Sequence, residues 1–271
     1  SYTVKYLEQG TNNPIAEEKT VEGNVYLDEV TENAIDIPGY VKQEPATQSI
    51  TIDIENNEII FYYTKRTDLE YTVNYLEKTE ESAEVKLAES KVVTGQTYLQ
   101  EVTEQAIDIK GYVALDPTKQ TITINVSDNV INFYYTKRTD ISYTVNYLEE
   151  GTENVLAESK VVKDQTYLAE ITENAIDIKG YNKVEPTKQT ITLKVEGNVI
   201  NFYYTKRTDL SYTVKYLEEG TEAVLAEEKI VNNQTFNSTV TENAIDIEGY
   251  TKVNPTETII IKVNDNEIIF Y

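Results

Sequence analysis

The feature that most constrains this chain is a fourfold internal repeat. The pattern Y-T-V-x-Y-L-E opens at Tyr2, Tyr71, Tyr143 and Tyr212, at spacings of 69, 72 and 69 residues. Gly-Tyr pairs recur at Gly39, Gly111, Gly180 and Gly249, spaced by 72, 69 and 69, which puts a three-residue insertion in the second copy between Glu77 and Glu89. The period exceeds the roughly 20 to 50 residues of stacked solenoid repeats, and about 70 residues can bury a small core of their own. The expectation is four modules, 1–67, 68–139, 140–208 and 209–271. FYYTKRTD, at Phe61, Phe133 and Phe202, closes one and leads into the next.

The third copy shows the pattern most cleanly. Tyr143, Val145 and Tyr147 alternate with polar residues, the period-two signature of a strand with one buried face. Turn formers at 150–154 precede Val155 to Val162, which predicts a hairpin whose loop tolerates the second copy's insertion. Tyr167, Leu168, Ile171 and Ala175 then fall at i, i+1, i+4 and i+8, a helical spacing that Thr166 is placed to cap. In the second copy Thr97 and Gln100 have capping-box spacing. The glycine of Gly180-Tyr181 calls for a positive φ or a close backbone approach. Pro45, Pro117, Pro186 and Pro255 each lie six residues after that glycine and mark an edge or an exit from the sheet. Ile191, Leu193 and Val195 alternate as another strand, Glu196-Gly197-Asn198 reads as a tight hairpin turn, and Val199 to Tyr204 is the last strand. The order β-β-α-β-β-β predicts an α+β module, one short helix packed across a mixed sheet.

The chain holds no Cys and no His, which removes thiolate nucleophiles, imidazole bases and the usual zinc ligands. A formal charge of −23 repels phosphate backbones and anionic lipid, and no stretch approaches the roughly 18 to 20 apolar residues of a span, so neither nucleic acid nor membrane insertion is expected. Carboxylates spread over hairpins offer no cleft for a paired-acid site, and phosphate loops and nucleophile elbows are absent from the sequence; no enzyme and no catalytic residue is expected. No cofactor is expected. Calcium is the one candidate ion, at Asp53-Ile54-Glu55-Asn56-Asn57-Glu58 and Asn264-Asp265-Asn266-Glu267, though neither run has EF-hand spacing.

All 22 tyrosines fall at repeated positions, where they serve as core bulk with hydroxyls at the rim. Tyr40, Tyr112, Tyr181 and Tyr250 are the candidates for stacking on sugar rings. The only three arginines, Arg66, Arg138 and Arg207, all stand in the joints. Each has a lysine before it (Lys65, Lys137, Lys206) and an aspartate after it (Asp68, Asp140, Asp209). Guanidinium pairs bidentately with carboxylate, and these joints lack the Gly and Ser runs of flexible linkers. The expectation is a clamp that fixes the angle between adjoining modules.

The opening Y-T-V-x-Y, the polar hairpin, the aromatic after Gly23 and Gly95 (Tyr26, Tyr98), the Gly-Tyr pair and the closing I-x-F-Y-Y together resemble the mucin-binding protein (MucBP) repeats of Gram-positive surface proteins. The resemblance covers all four copies. It implies a β-grasp, ubiquitin-like module whose first and last strands lie side by side and parallel, and an extracellular, cell-wall-anchored parent. Because the sequence begins and ends on repeat boundaries, it reads as a monomeric fragment of a larger surface protein, with anchoring signals outside it. The expected function is a non-enzymatic stalk, an elongated rod on the order of 100 to 140 Å long that projects a distal binding region. The alternative is a multivalent adhesion module for mucin-type or other host glycans.

Overall fold

A computed structural model describes residues 1–79 and 84–271. The insertion expected in the second copy therefore lies partly outside the described residues. The chain divides into two compact units, Ser1–Lys137 and Arg138–Tyr271. The first contains the copies opening at Tyr2 and Tyr71, the second those opening at Tyr143 and Tyr212.

The first copy sets the pattern with six strands: β1 (Tyr2–Glu8), β2 (Lys19–Val21), β3 (Glu29–Asn33), β4 (Tyr40–Lys42), β5 (Thr47–Thr51) and β6 (Glu58–Lys65). One sheet has the order β2-β1-β6-β4, and β3 and β5 form a separate two-stranded ribbon. β1 runs antiparallel to β2 and parallel to β6, with Tyr6 opposite Phe61, so the first and last strands are neighbours as expected. A strand with one buried face sends alternate side chains inward. Tyr2, Val4 and Tyr6 of β1 thus meet Ile59, Phe61 and Tyr63 of β6, and the ribbon covers them with Val30, Ile50 and the following Ile52. The same cluster recurs in each copy, around Val73 and Phe133, Val145 and Phe202, and Val214 and Phe270.

The helix and the α+β, β-grasp assignment are overturned: the described residues form strands and turns and contain no helix. Where the helix was expected, 166–169 is a turn closed by the Ala169 amide on the Thr166 carbonyl at 3.1 Å, and Glu170–Asn174 is a strand. It pairs antiparallel with Lys188–Thr192, Ile171 opposite Ile191 and Thr172 opposite Thr190. The reason lies in Glu173. Its side chain points inward with Ile171, so the inward residues are Ile171, Glu173 and Ala175, a period of two that a carboxylate at the middle position disguises as helical spacing. β-branched Ile and Thr also favour the extended chain. The capping-box residues do touch, Gln100 Oε1 accepting from the Thr97 amide at 3.1 Å, but around a turn and not a helix start.

The turn at Glu196-Gly197-Asn198 is not a hairpin either, because the strands it joins lie in different sheets. It is instead a staple. The Asn198 amide oxygen accepts from the Lys194 N–H, and its nitrogen donates to the carbonyls of Lys194 and Ser142, tying the turn to the start of the module. Asn57, Asn129 and Asn266 make the equivalent bonds. Pro186 stands where the chain leaves the main sheet after Tyr181–Lys183 and enters the ribbon.

The ribbon turn carries local strain. Leu27, Leu99 and Leu168 hold φ of 72°, 64° and 64°, and the fourth copy has Asn237 there at 61°. A branched residue pays about 1 kcal/mol or more for this region, which Asn tolerates. Leu168 is 43% exposed, so its replacement sacrifices little burial. Leu168→Asn should raise the unfolding free energy of the third copy by about 1 kcal/mol, read as a higher urea midpoint at unchanged slope.

Candidate functional site: the joints between copies

In each unit the joint is built around the backbone of its arginine. In the first unit the Arg66 amide donates to the Gly39 carbonyl at 2.9 Å, and the Arg66 carbonyl accepts from the Tyr98 amide at 2.9 Å. Arg66 thus links the Gly-Tyr turn of one copy to the ribbon turn of the next. The Tyr98 ring then lies against Gly39: a Cβ there would stand 2.4 Å from Tyr98 Cδ1 and Cε1. Tyr98 also meets Tyr40 edge to face, centroids 5.5 Å apart at 77°. Gly39 has a φ of 82°, so both reasons anticipated for a glycine operate at one residue.

The second unit repeats the arrangement with a different aromatic. Arg207 receives and gives the same bonds, to the Gly180 carbonyl at 2.9 Å and from the Phe236 amide at 2.8 Å. A Cβ on Gly180 would stand 2.5 Å from the Phe236 ring, which meets Tyr181 at 5.6 Å and 71°. That Phe replaces Tyr without loss of geometry shows that the ring face, not the hydroxyl, is what the joint uses. At the opening of the second unit the Arg138 carbonyl likewise accepts from the Tyr167 amide at 2.8 Å.

The charged side chains of the joints act locally. Arg66 Nε and a terminal nitrogen each reach one oxygen of Asp68 at 2.9 Å, and Arg138 with Asp140 and Arg207 with Asp209 form the same fork at 2.7–2.9 Å. The arginine's hydrogen bonds hold each aspartate below its usual pKa and raise that of the arginine. These pairs are open to solvent, where screening leaves them weak. Lys65, Lys137 and Lys206 pair with Glu8, Glu77 and Glu149 at 3.5–3.6 Å, each within the copy that the lysine closes. Of the four stacking candidates, Tyr40 and Tyr181 have their rings engaged by the next copy's aromatic. The Tyr112 hydroxyl lies 3.4 Å from Glu77 Oε2, and Tyr250 is 50% exposed.

Sequence reasoning missed one half-buried device. Glu173 accepts from the Tyr143 hydroxyl and from Lys160 Nζ, both at 2.6 Å. The same triad is Tyr2–Glu32–Lys19, Tyr71–Glu104–Lys91 and Tyr212–Glu242–Lys229. It lets a carboxylate face the core because two donors meet it there. Burial pushes the Glu173 carboxyl up, but Lys160 and Tyr143 together outweigh it and hold the group below its usual range. Burial first, and then the hydrogen bond to glutamate, push Tyr71, Tyr143 and Tyr212 up to about 12 from 10.0. A phenol whose pKa is raised on folding contributes stability that is complete below pH 10 and is lost as pH climbs through about 12. The urea midpoint should therefore fall steeply between those values. Tyr143→Phe should remove the third copy's share of that fall, as read from midpoints across the alkaline range.

Among the described residues no group of three or more acidic side chains is gathered for a metal, and no cofactor is evidenced. At the calcium candidate, Asn57 spends its amide oxygen on the Asp53 amide and its nitrogen on the carbonyls of Asp53 and Ser1. At the other, Asn266 is spent in the same way.

No protein-family model matches the chain, and comparison with curated proteins finds no match. Solved structures similar to it include the Bacillus anthracis TIE protein, at 10% identity and a TM-score of 0.34, over 89% of this chain and 66% of that one, just under two thirds of its length. They also include the type 2 repeat of the mucus binding protein MUB from Lactobacillus reuteri, at 12% identity and a TM-score of 0.19, over 51% of this chain and 99% of that one. Domains 3-4 of the Streptococcal High Identity Repeats in Tandem (SHIRT) from a cell surface protein align at 14% identity and a TM-score of 0.19, over 50% of this chain and 95% of that one. The MUB and SHIRT structures are described as repeats; at these scores the likeness fixes neither a family nor a function.

Proposed function

We propose that this chain is a non-enzymatic spacer, a run of four tandem modules (1–67, 68–139, 140–208 and 209–271) in a wall-attached protein on the outside of a Gram-positive cell. One observation carries the reading: the interlocked joint, in which an arginine backbone bonds both neighbours and an aromatic ring closes on a glycine, at Arg66, Gly39 and Tyr98 and again at Arg207, Gly180 and Phe236. A row of independent binding beads has no need to dock one module on the next. A spacer does, because its task is to resist folding back. In this reading the Lys-Arg-x-Asp runs of the joints are local staples that shape the connecting strand, and the rings of Tyr40 and Tyr181 serve the joint. The surface location is supported by the MucBP resemblance.

The test is binding to immobilised mucin and to a glycan array, with and without calcium. The expected result is no saturable binding by the 271-residue chain. Saturable binding that disappears on mutating Tyr40, Tyr112, Tyr181 and Tyr250 to Ala would replace the spacer with the adhesion module.

A further inference from the structure

The chain enters and leaves a copy at opposite ends of one strand pair. In the second copy Leu69–Glu77 opens the module and Val130–Lys137 closes it. The two lie parallel, in register from Thr72 opposite Val130 to Glu77 opposite Tyr135. A pull on the chain from both sides therefore draws the start of one strand and the end of the other in opposite directions. The strands must slide past each other, and the evenly spaced bonds of the parallel ladder are loaded together. Strands drawn apart from one end lose those bonds singly. The first and third copies hold the same pair, Thr3 to Glu8 against Glu58 to Tyr63 and Thr144 to Glu149 against Val199 to Tyr204. Only residues 66–68 separate the closing strand of the first copy from the opening strand of the second, so a pull passes from one pair to the next with little slack.

The pair is braced where that load falls. At the entry, Asn129 Nδ2 donates to the Glu70 carbonyl at 3.0 Å, and the Thr72 amide donates to the Asn129 carbonyl at 2.9 Å. Midway, Asn74 Nδ2 donates across the pair to Asn132 Oδ1 at 2.9 Å, while Asn74 Oδ1 accepts from Ser90 Oγ at 2.7 Å. Asn146, Asn201 and Ser159 repeat this in the third copy. At the exit, the Lys78 amide donates to the Tyr135 carbonyl at 2.8 Å, and Tyr112–Ala114 pairs with the end of the closing strand. On the core side Tyr75 stacks on Phe133, centroids 6.3 Å apart at 13°, so sliding must drag buried rings past each other.

We propose that these copies are load-bearing clasps: tension along the chain is carried by shear of the parallel opening and closing strands, which holds a copy folded under a pull that would peel the same strands apart. The purpose of the clasp rests on the spacer reading, because a tether between a cell and what it holds is under tension. Its strength rests on the geometry alone.

The test is single-molecule force spectroscopy on the 271-residue chain, with handles on introduced cysteines, since the chain has none of its own. Thr67→Cys with Thr139→Cys brackets the second copy and loads its strand pair in shear. Thr67→Cys with Ser127→Cys grips the same pair at its two starting ends and peels it; all three positions are exposed. Rupture in shear should lengthen the molecule by about 200 Å, the span of about 70 extended residues less their folded separation. Forced unfolding is governed by the unfolding barrier, so the two directions report the barrier along each path in one and the same fold. At equal loading rate the rupture force in shear should be at least about twice that in peeling, and a smaller ratio overturns the proposal. Mucin binding would overturn the spacer and leave this ratio untouched, so the two failures are distinct.

Discussion

Tyr204→Ala should unfold the third copy at room temperature. Tyr204 is fully buried between the main sheet and the ribbon, and its hydroxyl is bonded to the Ile176 carbonyl. Truncating a buried aromatic costs about 3–5 kcal/mol. A module of this size has a total stability on the order of 5 kcal/mol. The loss is therefore comparable to the whole. Tyr204→Phe keeps the ring and removes only the hydroxyl's bond, a loss of about 1 kcal/mol. Urea unfolding followed by the third copy's amide signals separates the two variants. The alanine variant should show those signals collapsed before denaturant is added, the phenylalanine variant only a modest shift in midpoint.

The second large effect is expected at Gly180. Gly180→Ala places a methyl group 2.5 Å from the Phe236 ring and forces an L side chain to hold a φ of 86°. The backbone term alone costs about 1–2 kcal/mol. Displacing Phe236 forfeits its edge contact with Tyr181, worth about 0.5–1.5 kcal/mol beyond the area it buries. Gly249→Ala provides the control, because that glycine has a φ of 83° with nothing within 4 Å of the added methyl. It should pay the backbone term alone. A calorimetric difference between the two of about 1 kcal/mol or more, with the signals of residues 235–238 perturbed only in Gly180→Ala, marks the dock itself.

The sequence made some of this plain and hid the rest for identifiable reasons. Strands with one solvated face were legible wherever both faces kept their character, as at Tyr143, Val145 and Tyr147. The ribbon strand Glu170–Asn174 was not, because Glu173 faces inward and is made tolerable by Lys160 and Tyr143, partners from two other strands. Pairing across the fold cannot be read from local spacing. Gly39 and Gly180 announced themselves as constrained, but not that the constraint was a ring from the next copy. A signal was present: Tyr26, Tyr98, Tyr167 and Phe236 keep an aromatic at a turn whose next residue is exposed, more bulk than a turn leading from the main sheet into the ribbon needs. Arg66, Arg138 and Arg207 stand out in the sequence as its three arginines, yet what the backbones of Arg66 and Arg207 do has no sequence signature.

The docked joint can be measured directly in the first unit. The chain has no cysteine, so Thr11→Cys and Lys110→Cys accept spin labels uniquely, one in each copy of that unit. Pulsed dipolar spectroscopy should give a single narrow distance distribution that broadens severalfold when Tyr98→Ala is added. A distribution already broad with Tyr98 in place, or one whose width ignores its removal, would contradict the joint as the element that holds neighbouring modules together.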